Sequence, residues 1–176
     1  MRYGHLAKVA ITLAGLALLA GCDDGPEGQS GDGQASERSP LDVSAYRGDK
    51  VCDLLPKEKL SAAGFTDPGE PLTFMGGIDG CEWREDGILA LSLVDESLES
   101  ADVASDSKYR SSESGTLGGY PSVTAWFPNT ETCNVYVEAG PKAYLELQVR
   151  DFGTGEKQCD LGEDLLGAAV EQLKAG

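Results

Sequence analysis

Four cysteines set far apart constrain this chain more than any other feature. Cys52, Cys81, Cys133 and Cys159 are well separated, the closest two being 26 residues apart. No Cys-x-x-Cys pair exists to run thiol exchange or seed a zinc knuckle. Behind an export signal, four such cysteines read as two disulfides that staple a mid-sized domain. Three connectivities are possible. The sequential one, Cys52–Cys81 with Cys133–Cys159, is favoured because each bridge then closes a loop holding one helix end and one strand end. The other two stay open.

The export signal is the first 21 residues. Arg2 and Lys8 give a cationic start, and Val9 to Leu19 (VAITLAGLALL) is an apolar run of 11 residues. A bilayer core needs about 20 apolar residues, so the run suits a cleaved signal better than a membrane span. It ends in Leu19-Ala20-Gly21-Cys22, which resembles the lipobox of bacterial lipoproteins. That resemblance implies cleavage before Cys22 and acylation of its sulfur, and two or more acyl chains hold a protein durably to a bilayer. Cys22 also accounts for the odd fifth cysteine. Residues 22–50 are rich in Gly, Ser, Asp, Glu, Gln and Pro and read as a flexible acidic tether, with a mean span of about 30 Å. Residues 51–176 are left for the folded domain.

The charge and the histidine count exclude whole classes of function. The formal net charge is −16, and loss of the signal makes the mature chain more acidic still. Phosphate backbones repel such a chain, so nucleic acid is not an expected partner. The one histidine, His5, lies in the signal, which leaves the mature protein without histidine bases, triads or zinc ligands. No cofactor and no metal are expected.

Within the domain, residues 52–65 (CDLLPKEKLSAAGF) read as a short helix capped at Asp53, with Pro56 in its first turn and Gly64 as its stop. A period of two follows. Strands are expected at 71–74, 81–84 and 88–94, separated by turns at Gly76-Gly77, Asp79-Gly80 and Asp86-Gly87. In ILALSLV, Leu89, Leu91 and Leu93 form one core-facing row. Residues 96–113 read as a polar connection whose only aliphatic anchors are Leu98 and Val103. Strands resume at 122–127, 132–138 and 143–150, the last two joined by a turn at Ala139-Gly140-Pro141-Lys142. Residues 160–173 close the chain as a helix with Leu161, Leu165, Leu166, Ala169, Val170 and Leu173 on one face. Gly162 and Gly167 let that helix sit close to a sheet. The expected class is α+β: an antiparallel sheet of about six strands covered by an N-terminal and a C-terminal helix, with two disulfides.

Several short motifs now line up in order: the lipobox, Cys52-Asp53-Leu54-Leu55, Cys81-Glu82-Trp83, Gly119-Tyr120-Pro121-Ser122-Val123, Cys133-Asn134-Val135-Tyr136-Val137 and Cys159-Asp160. The set resembles the DUF3558 family of actinobacterial lipoproteins over residues 51–174. The resemblance implies an exported two-disulfide domain of unknown biochemical role and carries over no catalytic residue. At the level of architecture alone, the domain is also similar to the extracellular sensor domains of mycobacterial receptor kinases.

Chemistry-bearing motifs are weak. Ser105-Asp106-Ser107-Lys108 has the Ser-x-x-Lys spacing of penicillin-binding enzymes but lacks their partner motifs. Gly153-Thr154-Gly155-Glu156-Lys157 lacks phosphate-loop spacing and reads as a loop. Glu82 with Glu85, and Glu163 with Asp164, are the nearest carboxylate pairs for glycoside chemistry, though solvated surface suits them better. Trp83, Trp126, Phe127, Tyr136 and Tyr144 would line an apolar groove if they shared a sheet face. Trp83, Trp126 and Phe127 are therefore the candidate ligand-binding residues, and core packing is their simpler reading. The expected function is a non-catalytic envelope lipoprotein, tied to the membrane through Cys22, that binds a small ligand or an envelope protein. A carboxylate-dependent envelope hydrolase and an accessory subunit of a membrane complex are the alternatives.

Overall fold

The computed structural model describes residues 38–74, 78–99, 101, 103, 111–153 and 155–176. The signal at 1–21, Cys22, the first part of the tether, the Gly76-Gly77 turn and the Ser105–Lys108 motif lie outside the described residues. Seven strands form one sheet in the order β1-β2-β3-β7-β6-β5-β4, every neighbouring pair antiparallel. They are β1 (Glu70–Phe74), β2 (Ile78–Arg84), β3 (Ile88–Val94), β4 (Ser111–Leu117), β5 (Tyr120–Phe127), β6 (Thr132–Gly140) and β7 (Ala143–Arg150). Among the described residues two helices accompany them, α1 (Lys57–Ala62) and α2 (Gly155–Ala175), with 3-10 turns at Ser44–Tyr46 and Gly48–Asp53.

Strand alternation sorts the residues onto two faces. Leu89, Leu91 and Leu93 of β3, Val135 and Val137 of β6, and Leu145, Leu147 and Val149 of β7 are fully buried on one face. There they meet Leu165, Leu166, Ala169 and Val170 of α2 in the main core. The opposite face carries a smaller cluster: Val94, Ala125, Tyr136 and Tyr144 packed with Leu98 and Val103. Those last two are the anchors expected of the long β3–β4 connection. Leu98 and Val103 themselves lie against this second face.

The sequence expectation is corrected in four places. The sheet has seven strands rather than about six, because Ser111–Leu117 (SSESGTL), assigned in part to the polar connection, pairs along β5 from Ser111↔Trp126 to Leu117↔Tyr120. Asp79-Gly80 is not a turn but lies within β2. At the β6–β7 hairpin only Pro141 and Lys142 turn, since Gly140 pairs with Ala143. The first helix starts at Lys57, not at Asp53. Proline disfavours helical geometry in the residue before it, so the chain makes a 3-10 turn to Asp53, and Pro56 occupies the N-cap position. Gly64 does stop α1, in the left-handed region at φ 96°. The Phe65 N–H reaches back to the Leu60 carbonyl at 2.9 Å and the Gly64 N–H to that of Ser61 at 3.1 Å, which is a Schellman ending.

The covering layer also differs from expectation. The 3-10 turn at Gly48–Asp53 packs on β1, β2 and β3, while α2 packs on β6, β7, β5 and β4. The first half of that turn, residues 48–50, belongs to the segment expected to be tether. Leu41 and Val43 are only 6% and 8% exposed, and the Leu41 N–H donates to the Ala139 carbonyl at 2.8 Å. Arg47 forms ion pairs with Asp95 and with Asp79, and the Tyr120 hydroxyl donates to the Ser39 carbonyl. The packed domain therefore begins near Ser39 rather than at Val51.

Candidate functional site

Both disulfides follow the sequential pairing, Cys52–Cys81 and Cys133–Cys159. The first ties the Gly48–Asp53 turn to β2; the second ties α2 to β6. Beside the first lies a cleft of about 510 Å³. Asp49, Cys52 and Asp53 form one wall, and Lys57, Leu60 and Ser61 of α1 a second. The loop from Phe65 to Gly69 and Pro71 of β1 complete the rim, and Trp83 lies at the base.

Each wall has a local cause. Phe65 is buried against Phe152, the ring centroids 5.0 Å apart. A Cβ at Gly69 would collide with the Cys81 sulfur and the Trp83 indole, so only glycine lets the loop lie this close. Glu85, in the β2–β3 turn, fixes the same loop from the far side. Its Oε1 accepts the N–H groups of Thr66 and Asp67, the latter at 3.1 Å, and these bonds hold its carboxyl below the usual range. The cleft thus pairs an aromatic and aliphatic base with carboxylates and one lysine at its rim, a mixture suited to recognition.

The proposed aromatic set does not converge. Trp126 pairs with Cys133 and shares the helix-covered face with Trp83, but β3, β7 and β6 separate their strands. Phe127, the next residue, points to the opposite face, where Tyr136 and Tyr144 pack at a centroid distance of 6.1 Å. Trp83 is 3% exposed, whereas Trp126 and Phe127 are partly buried. The indole of Trp126 lies under the start of α2, where a Cβ at Gly155 would approach its Cζ2 to 2.7 Å. The Gly153–Lys157 motif is accordingly the entry to α2, with Thr154 outside the described residues.

The carboxylate pairs are drawn to separate partners. Glu82 bonds Arg84 while Glu85 holds Thr66. Glu163 accepts from the Thr124 hydroxyl at 2.5 Å, and Asp164 meets Lys59 at 2.9 Å. A different polar group, not singled out from the sequence, crosses β6 and β7 on the second face. Asn134 donates to Glu146 at 2.8 Å and to the Tyr136 hydroxyl at 3.0 Å, and Gln148 donates to Asn134 at 3.4 Å. Burial pushes the Glu146 carboxyl up, against the lowering effect of its bonds with Tyr136 and Asn134. Burial likewise raises Tyr144, helped by the charges of Glu146 and Glu96. The signal for this group was the hairpin register, which sets Asn134 opposite Gln148 and Tyr136 opposite Glu146.

Among the described residues, no cluster of three or more His, Cys, Asp or Glu side chains is arranged to hold a metal ion. Among them, too, no helix is long and apolar enough to cross a membrane. The family model described as "Protein of unknown function (DUF3558)" matches residues 17–172. No curated protein matches the chain, and no solved structure does.

Proposed function

The chain belongs to the DUF3558 family, and from that premise we propose that it is an exported lipoprotein, anchored through Cys22, that binds a ligand or envelope partner without transforming it. The observation that carries the binding role is the Trp83 cleft. Its two sides are braced independently, by the Cys52–Cys81 bridge and by Glu85, so the recognition surface is formed before a ligand arrives. Preorganisation of this kind lowers the ordering cost of binding. The divergence of the Glu82/Glu85 and Glu163/Asp164 pairs favours this reading over a carboxylate hydrolase. Anchoring rests on the sequence, in the apolar run to Leu19 and the cysteine that follows Gly21.

Two measurements test the two halves. Cys22→Ala, expressed with its signal, is expected to lose acyl labelling and to leave the membrane fraction once processed; a mature-sized variant still in membranes would overturn the anchor. For the cleft, Trp126→Phe leaves Trp83 as the only tryptophan. Fractionated envelope lipids and glycans are then titrated against its emission. A saturable change is expected, lost when Ser61→Phe fills the cleft. Turnover of a fraction component, abolished by replacing a cleft carboxylate, would assign an enzyme instead.

A further inference from the structure

We propose that the outer edge of β4, together with the groove it shares with the start of α2, receives an extended cationic peptide by strand addition. The site lies at the other end of the sheet from the Trp83 cleft and does not depend on it.

β4 is an end strand, and its partner in the sheet is β5. Proteins guard such edges with proline, lysine, bulges or very short strands. β4 is seven residues long, its sequence SSESGTL has neither proline nor lysine, and its register with β5 runs without a shift. Ser111 through Thr116 are exposed. The opposite end strand is guarded differently: β1 carries Pro71, which has no N–H to offer. Backbone hydrogen bonding to a seven-residue edge suits an extended segment of about the same length.

The chemistry of that segment follows from the groove on the helix side, about 540 Å³ in volume. Trp126 lines it, with Glu113 on the β4 side and Glu156, Asp160 and Glu163 on the α2 side. Among the described residues that line it, none is lysine or arginine. Side chains of an added strand alternate between faces, so every second one would enter this groove beside Ser111 and Glu113. A lysine or arginine there meets an indole and carboxylates together, which combines cation–π attraction with charge pairing. The remaining side chains would lie beside Ser112 and Ser114, on the solvated side. The occupant is thus a peptide in extended form with basic residues at alternate positions.

The test uses the full chain and two synthetic heptapeptides, Lys-Val-Lys-Val-Lys-Val-Lys and its counterpart with glutamate for lysine. The lysine peptide is expected to shift the amide resonances of Ser111–Leu117 and the Trp126 indole N–H; the glutamate peptide should not. Glu156→Lys with Asp160→Lys, both on the outside of α2, should weaken the lysine peptide at least about tenfold. Ser114→Pro should abolish the β4 shifts, with a thermal melt to check that the domain still folds. The proposal is overturned if both peptides bind alike, if the shifts map elsewhere, or if the charge reversal leaves affinity unchanged. It is also overturned if the free chain forms a dimer that Ser114→Pro dissolves, since the edge would then belong to a second copy.

Discussion

One carboxylate oxygen of Glu85 holds Thr66 twice, accepting its backbone N–H at 2.7 Å and its hydroxyl at 2.9 Å. With the Asp67 N–H as a third donor, this oxygen shapes the loop that rims the Trp83 cleft. Because these bonds favour the ionised form, Glu85 has a lower pKa folded than unfolded. Its contribution is complete above the unfolded value of about 4.3 and is lost as pH falls through the folded value. Hydrogen exchange at the Thr66 and Asp67 amides is therefore expected to quicken, relative to the intrinsic rate, on acidification below the ordinary glutamate range. Glu85→Ala should show that loss of protection already at pH 7.

Glu146 carries the opposite sign. Burial raises its folded pKa, so the unfolded chain releases its proton first, and stability falls as pH rises from the unfolded value through the folded one. Glu146→Gln keeps an oxygen for Asn134 and removes the charge. Melting temperature is expected to rise at neutral pH and to lose this part of its pH dependence, with little change below pH about 4. A variant that is less stable at neutral pH would show that the ionised carboxylate holds the Asn134 and Tyr136 network together.

The two glycines inside α2 should respond in opposite directions. A Cβ at Gly162 would sit 2.8 Å from Cγ2 of Val135 and 3.3 Å from Cγ2 of Val149, both on buried, branched side chains. Gly162→Ala is expected to cost about 1–3 kcal/mol through overpacking. At Gly167 the nearest atom is Leu117 Cδ2 at 4.0 Å. Gly167→Ala should stabilise by about 0.5–1 kcal/mol through helix propensity alone. Urea unfolding of both variants, at equal slope, separates the two effects.

Leu41 is the test of where the domain begins. It is buried in the main core although it lies within the low-complexity segment. Leu41→Ala is expected to cost about 2–3 kcal/mol, within the range for buried leucines. A chain starting at Val51 should lose more, because Val43 and the Arg47 ion pairs go with it. Unchanged denaturation midpoints would mean that residues 39–50 are dispensable to the fold.

Features carried by apolar periodicity were legible in the sequence: the leucine row of β3, the alternation of β6 and β7, the face of α2 and the anchors Leu98 and Val103. The remainder depended on partners. Nothing apolar before Leu117 marks β4 as a strand, and its ladder is supplied by β5. Gly155 to Cys159 add little to an apolar stripe, yet they are helical; Trp126 packs under Gly155 and Cys159 is bridged to Cys133. Leu41 and Val43 stand in a segment otherwise rich in Gly, Ser and Asp, and nothing local marks them as core. For the candidate site, Trp83 and Cys52 were legible as single positions. The loop that completes the cleft depends on Gly69 and Glu85, whose roles appear only once β2 and that loop are in contact. Trp126 and Phe127 share an aromatic type but not a face, because consecutive strand residues point opposite ways.

The Cys52–Cys81 bridge sets a mechanical stop. A pull on the N-terminal segment first loads the Leu41–Ala139 hydrogen bond and the Arg47 ion pairs, which can peel in sequence. At Cys52 the load passes through a covalent link into β2, a strand paired on both sides by β1 and β3. Peeling from the N-terminal side ends there, because β2 is held in the sheet by both neighbours. Loss of the contacts from Ser39 to Val51 would therefore leave Cys52 fixed to β2 at the edge of the Trp83 cleft.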